Sequence, residues 1–279
     1  MPDTSIPDSD AAHLSRARYG AAAAPRLLKL NAVLTTLLSH RSVRRYRPDP
    51  LPPHTLETLV AAGQSASTSS NLQAWSVVAV EDAGRKARLS AVAGNQAHIT
   101  ECPLFLVFLA DLSRLDRLGT AHGKRLEGLD YLETFMVALI DAALAAQNIV
   151  VALQSLGLAS VYIGALRNDP ETVARELALP PHAMAAFGLC VGYADPADTA
   201  EIKPRLPQST VLHRERYDPT QDAKTIAAYD DVLGAFSQAQ GMAETEWTSR
   251  MLARVATASS LRGREHMSAI LGRLGFALK

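Results

Sequence analysis

Apolar residues recur at helical spacing near the start of the chain. Leu27, Leu28, Leu30, Val33, Leu34, Leu37 and Leu38 share one face, which predicts a helix after Pro25 that ends near Ser39-His40. A second helix is expected behind Pro52-Pro53, carrying Leu56, Leu59, Val60 and Ala62, because the missing N–H of proline has no partner to lose in a first helical turn. The small polar stretch 65–71 reads as a loop. Four short apolar runs, 76–80, 104–110, 161–166 and 187–193, are bounded by Gly, Pro or charged residues and read as strands. Residues 131–156 form one apolar helix, about 26 residues or roughly 39 Å long. A shorter helix is predicted over 171–179, with Asn168 or Asp169 as cap, Pro170 in its first turn and Pro180-Pro181 as its stop.

The two ends differ from this middle. Residues 1–25 are rich in Asp, Ser, Pro and Ala and read as a mobile leader. After Tyr217 the pattern is helical and amphipathic, so this tail needs a surface to pack on. The predicted class is α+β: one sheet flanked by helices, a long central helix, and a helical C-terminal arm. The expected segments are a leader (1–25), a core (26–217) and an arm (218–279).

Composition narrows the partners. The 279 residues are 48% hydrophobic, enough for one sizeable core, and 28 basic side chains balance 28 acidic ones. A strongly basic face is not expected, which disfavours nucleic acid as a partner. The two cysteines, Cys102 and Cys190, sit in apolar runs that look like strands and read as buried, inert thiols. The first ten residues hold three Asp and no Lys or Arg, the wrong charge for a signal peptide. Asp141, Gln147 and Asn148 interrupt the long apolar helix, which suits a buried helix better than a membrane span. These features together read as a soluble, cytoplasmic protein.

The common phosphate, zinc and serine-hydrolase motifs are missing from the sequence, and its eight histidines show no metal-ligand spacing. Trp75 and Trp247 read as packing residues. Two basic clusters carry the remaining chemistry. In the first, His40, Arg41, Ser42, Arg44 and Arg45 crowd polar donors where a helix ends, an arrangement that suits a phosphate; an ordinary solvated basic turn is the competing reading. In the second, Pro204 forbids a helix, so Lys203 and Arg205 should point to one side of an extended chain; a charged surface loop is the alternative. Both clusters could serve one doubly charged phosphate.

The chain resembles the nitroreductase superfamily, within it the branch of oxygen-insensitive NADPH nitroreductases and NADPH–FMN oxidoreductases. The resemblance runs from about residue 34 to the C-terminus. Its ordered landmarks are HRSVR at 40–44, STSSNLQ at 67–73, GNQAH at 94–98, the segment 141–168, FGLCVGY at 187–193 and KPRLP at 203–207.

The resemblance implies an obligate homodimer with FMN bound at the subunit interface. It assigns His40, Arg41, Ser42, Lys203 and Arg205 to the phosphate and ribityl end, and Arg44 to the N1/O2 edge of the flavin, where a cation stabilises the reduced ring. Thr68, Ser69 and Ser70 are expected from the partner subunit, Gln96 at the pyrimidine edge, and Tyr162, Ile163, Gly164 and Ala165 under the ring. Arg167 and Arg264 match positions near the substrate pocket. Where the family has Gly-Gly, this chain has Gly164-Ala165. The implied activity is ping-pong transfer of electrons from NADH or NADPH, through FMN, to a nitroaromatic, a quinone, a flavin or an azo compound. Storage or sensing of FMN with little turnover, or another flavin reaction on the same fold, are the alternatives. One departure concerns the donor. The NADPH-preferring branch grips the 2′-phosphate with arginines in a C-terminal loop, whereas 225–249 here holds no Lys or Arg, has Gln240 where an arginine is expected, and carries Glu244 and Glu246.

Overall fold

A computed structural model describes residues 8–242 and 246–279. In chain order the helices and strands are α1 (Asp8–Tyr19), α2 (Ala32–Leu38), α3 (Thr55–Gln64), β1 (Trp75–Val80), α4 (Ala83–Val92), α5 (Ala97–Glu101), β2 (Leu104–Asp111), α6 (Ser113–Ala121), α7 (Leu132–Ser155), β3 (Ala159–Ile163), α8 (Pro170–Glu176), β4 (Ala183–Gly192), α9 (Gln208–Val211), α10 (Asp222–Ala239), α11 (Trp247–Val255) and α12 (Met267–Arg273). They fall into two compact units, residues 1–41 with 199–260, and residues 42–198 with 261–279. The expected segment boundary at residue 217 does not coincide with this division.

The second unit contains the sheet, ordered β1-β2-β4-β3 with every pairing antiparallel. All eight residues of β2 are buried, because both faces of the sheet are covered. Phe105, Val107 and Leu109 of β2 join Val161, Ile163 and Cys190 in one cluster. Leu104, Leu106 and Phe108 join Ala142, Ala146, Ile149, Val150 and Leu153 of α7 in the other. Gly188 in β4 is forced by this packing, since a Cβ there would collide with the Phe105 ring. An aromatic row crosses the sheet: Trp75 stacks near Phe108, Phe108 near Phe187, and Tyr162 meets Phe187 edge-on. Trp75 is thus a packing residue, as expected. The C-terminus closes this unit, with Phe276 edge-on to Phe135 of α7 at 4.9 Å and Lys279 N donating to Asp130 O.

Helix α7 has the length and composition of a membrane span. Its inner face packs on α3 and the sheet, and its polar residues hold neighbours. Asn148 Nδ2 donates to Ala62 O, and Tyr162 Oη donates to Gln147 Oε1.

Local readings differ from expectation in five places. The helix predicted after Pro25 begins only at Ala32, where Asn31 accepts the Leu34 N–H as N-cap; Leu28 is left largely exposed. Pro52-Pro53 precede α3 rather than opening it: Thr55 N returns to Pro52 O in a turn, and His54 takes φ 65°. The strand predicted over 161–166 stops at Ile163 and tightens into a 3-10 turn, Gly164–Asn168. Cys102 closes α5 rather than lying in a strand, although both thiols are free and buried. The leader, expected to be mobile, forms α1, whose Leu14, Ser15 and Arg18 are buried. By contrast, Asp169 caps α8 through Thr172 N with Pro170 in the first turn, as its sequence predicts.

Candidate functional site

In the first unit the start of the first basic cluster, His40 and Arg41, meets the second cluster. Arg18, only 7% exposed, donates from Nη1 to Lys203 O (2.8 Å) and from Nη2 to Leu38 O (2.9 Å) and His40 O (2.7 Å). Arg205 N donates to Arg18 O at 2.8 Å. Segments separated by more than 160 positions are thereby clamped on one guanidinium, so His40, Arg41, Lys203 and Arg205 belong to a single constellation. Arg41 Nη1 donates to Ala200 O, which fixes the approach to the second cluster. The Pro204 carbonyl accepts from the buried Tyr229 hydroxyl of α10 (2.9 Å), and Arg205 Nη1 reaches Lys203 O and Pro204 O. The expected pairing of Lys203 and Arg205 toward one target is therefore modified: the Arg205 guanidinium folds over the carbonyls of its own loop. Burial, and next to it the charge of Arg205, hold the Arg18 pKa below its ordinary value.

The second unit presents a different set. The backbone after Ser42 is pinned by Val43 N to Ser160 O, and Arg44 N and Arg45 N both donate to Asp198 Oδ2. Arg44 is exposed. Gln96, at the start of α5, gives its amide N–H to Ala93 O and engages His98 Nε2 through Oε1 at 2.9 Å. Burial, and then the positive charge of Arg44, push the His98 pKa down, so the imidazole is biased to the neutral form. Arg44, Gln96 and His98 therefore form one neighbourhood. His98 is not among the site residues expected from the sequence; its spacing of two from Gln96, where a loop enters a helix, is the signal for it.

Thr68, Ser69 and Ser70 lie in a loop held by a buried carboxylate. Asp141 of α7, 2% exposed, accepts from Thr68 Oγ1 (2.6 Å), Ala74 N (3.0 Å) and Ser69 N (3.3 Å). Thr68 Oγ1 in turn accepts from Gln73 N. Ser70, Asn71 and Gln73 all have positive φ, a costly conformation for residues with a Cβ. The Thr68 hydroxyl proton is thus committed to Asp141, while Ser69 and Ser70 side chains are exposed.

At the end of β3, Ile163 is in the core, so only its backbone is available to a ligand; Tyr162 is partly exposed. Arg167 donates to Ala186 O of β4 and lies beside the Gly164 Cα, close enough that a Cβ there would sit 3.3 Å from its guanidinium. Arg264 grips Asn168 Oδ1 with Nε and Nη2. Arg167 and Arg264 thus flank Asn168 and contribute to the order of the 3-10 turn.

Known proteins share this architecture. The model of the nitroreductase family matches residues 37–193, and that of the nitroreductase family C-terminal domain matches residues 203–279. An FMN reductase (NADPH) of Bacillus subtilis is 40% identical over 228 residues, 80% of this chain and 91% of that protein. An oxygen-insensitive NADPH nitroreductase of Salmonella typhimurium is 36% identical, covering 76% of this chain and 85% of its own length. The solved structure of the NADPH:FMN oxidoreductase from Vibrio harveyi complexed with NAD+ superimposes with a TM-score of 0.79 at 32% identity, covering 89% of this chain and all of that one.

Proposed function

The chain belongs to the nitroreductase family, and from that premise we propose that it works by a ping-pong cycle in which one pocket serves donor and acceptor in turn. It is an FMN-dependent oxidoreductase that uses NAD(P)H to reduce flavins and nitro compounds. The observation that carries the phosphate assignment is the clamping of 38–40 and 203–205 on Arg18. An anion site needs donors, and here three backbone acceptors are taken up by a buried cation, while the cationic side chains of His40 (when protonated), Arg41, Lys203 and Arg205 stand on the same segments. The residues fit a phosphate. Ser42 adds a hydroxyl next in sequence.

Arg44 and Gln96 are assigned to the N1/O2 and pyrimidine edge of the ring, and the backbone of 162–165 to its underside. A fixed cation beside the reduced ring stabilises negative charge without a proton transfer. Thr68, Ser69 and Ser70 are assigned to the cofactor of the partner subunit, and Arg167 and Arg264 to the edge of the donor pocket. Bound FMN supplies hydride acceptance and release; the protein orients the reactants and excludes competing chemistry.

The proposal extends to a homodimer, supported by α7. Leu132, Met136, Ile140 and Leu144 repeat at i+4 along one stripe and are each 43–53% exposed. A second copy is the natural cover for this stripe, and the family resemblance points the same way. The proposal includes a cytoplasmic location, where NAD(P)H is supplied.

The deciding experiment is spectroscopic. The purified protein should be yellow with about one FMN per subunit and should bleach without air on addition of NADH or NADPH. Lys203→Ala with Arg205→Ala should release the flavin with the fold intact, each lost charged hydrogen bond costing about 1.5–3 kcal/mol. A colourless protein that FMN does not reconstitute would overturn the assignment; tight FMN with no NAD(P)H oxidation would mark a storage or sensor protein instead.

A further inference from the structure

The family matches begin at residue 37, yet α1 reaches into the candidate phosphate constellation from before that point. Its attachment is specific. Leu14 is buried, Ser15 is 3% exposed with Oγ donating to Pro25 O, and Gly20 N closes the helix on Arg16 O. Gly20 takes φ 76°, and a Cβ there would meet the Val232 side chain of α10 at 2.9 Å, so the chain turns out of α1 where only glycine fits. The last turn of α1 then pairs with the second cluster in both directions, Arg18 Nη1 to Lys203 O and Arg205 N to Arg18 O.

We propose that Arg18 is a positioning residue for the flavin phosphate, holding the carbonyls of Leu38, His40 and Lys203 so that both basic segments offer donors to one anion. The inference rests on the reading that 40–42 and 203–205 bind the phosphate. Three carbonyl dipoles left facing an anion would repel it, and only Lys203 O has a further donor, Arg205 Nη1, among the hydrogen bonds described above. A planar guanidinium satisfies all three at fixed angles from one side chain, which a single ammonium on a flexible stem does not reproduce. Burial among these acceptors also means that Arg18 is spent on the scaffold. It acts through His40, Lys203 and Arg205 and does not itself touch the cofactor.

The test separates the phosphate from the rest of the flavin. Full-length protein carrying Arg18→Ala or Arg18→Lys is stripped of flavin and titrated with FMN and with riboflavin, which lacks the phosphate, following flavin fluorescence. Arg18→Ala should weaken FMN by about tenfold or more and leave riboflavin affinity unchanged, with Arg18→Lys intermediate. Equal losses for FMN and riboflavin would show a merely structural role and overturn the proposal, as would an FMN affinity equal to wild type. If Arg18→Ala does not fold, Arg18→Lys decides by the same criterion: loss confined to FMN supports the proposal, and loss shared with riboflavin refutes it. Lys203→Ala with Arg205→Ala, run in parallel, separates the two readings. If that variant keeps wild-type FMN affinity, the phosphate assignment itself is wrong. If it loses FMN while Arg18→Ala does not, the assignment stands and only the role of Arg18 falls.

Discussion

Two loops of this protein are held by buried charges of opposite sign. In the sheet-bearing unit, Asp141 gathers the hydroxyl of Thr68 and the backbone N–H groups of Ser69 and Ala74. In the other unit, Arg18 gathers the carbonyls of Leu38, His40 and Lys203. A carboxylate consumes donors and a guanidinium consumes acceptors, so the sign of the anchor decides what a loop has left to offer. The segments held by Arg18 carry the cationic side chains of His40 (when protonated), Arg41, Lys203 and Arg205 and suit an anion, even though Arg41 Nη1 and Arg205 Nη1 also donate to backbone carbonyls. The loop held by Asp141 has spent several donors, and what remains outward are the exposed side chains of Ser69 and Ser70. The cation-held segments are built for charge, and the anion-held loop for shape, down to three non-glycine residues with positive φ.

The largest expected effect comes from breaking the acidic anchor. Asp141→Ala leaves two backbone N–H groups and a threonine hydroxyl without their acceptor inside the protein. At about 1–3 kcal/mol for each unsatisfied group, discounted for relaxation, the loss should be about 3–5 kcal/mol. That is a large share of the stability of an ordinary domain, about 5–15 kcal/mol. Asp141→Asn keeps one oxygen and should cost about half as much. Urea unfolding measures both. A loss below about 1 kcal/mol for Asp141→Ala would mean that the strained loop is held by something else.

The same helix allows a cleaner contrast, because Ile140 and Asp141 are neighbours in sequence but differ in burial, 53% against 2% exposed. Ile140→Asp places a charge on the exposed stripe of Leu132, Met136 and Leu144. It should convert the proposed dimer into a monomer in sedimentation at low micromolar concentration, because a stable interface of about 2,000 Å² or more cannot bury an unpaired carboxylate at its centre. An unchanged dimer would mean that the interface lies elsewhere.

The two anchors also show what sequence reading reaches. The strand at 104–110 was legible because it is apolar on both faces, short, and bounded by Pro103 and Asp111, which suits a strand in a sheet covered on both sides, and β2 has that burial. Asp141 was visible as an anomaly in an apolar helix, but it served only as an argument against a membrane span; its partners are 67–73 positions away. Arg18 was not legible at all. Two arginines, Arg16 and Arg18, among Asp, Ser and Ala in a leader carry no periodic signal, and the role of Arg18 depends on carbonyls up to 185 positions distant. Local errors had local causes. Leu27 and Leu28 matched a helical face by spacing, yet Asn31 offered a better cap and the helix began there. The basic clusters were legible as chemistry, while the fold of the Arg205 guanidinium over its own loop was not.

The smallest effect concerns the electron donor, and it extends the comparison within the first unit. That unit gathers cations at His40, Arg41, Lys203 and Arg205, but between 225 and 249 it has none. Gln240 stands at the C-terminal cap of α10, where the family resemblance places an arginine for the 2′-phosphate of NADPH. Carboxylates stand nearby in sequence. Asp230 is occupied by Thr248 N and Oγ1, Glu246 accepts from Ser249 Oγ, and Glu244 lies outside the described residues. Arg254, in α11 just beyond this stretch, donates to Ser260 O. By sequence, a 2′-phosphate there has carboxylates near it and no Lys or Arg between 225 and 249. Loss of one charged hydrogen bond, about 1.5–3 kcal/mol, corresponds to at least a tenfold loss of preference. We therefore expect NADH to be used comparably to NADPH or better, in contrast to the NADPH named for the relatives. Steady-state kinetics with both donors measure this, and a kcat/KM for NADPH more than about tenfold above that for NADH would show the expectation wrong. Gln240→Arg should raise the NADPH-to-NADH ratio by about tenfold, chiefly through KM for NADPH. No change would mean that the donor binds away from the end of α10, and that the cation-poor stretch has no part in choosing it.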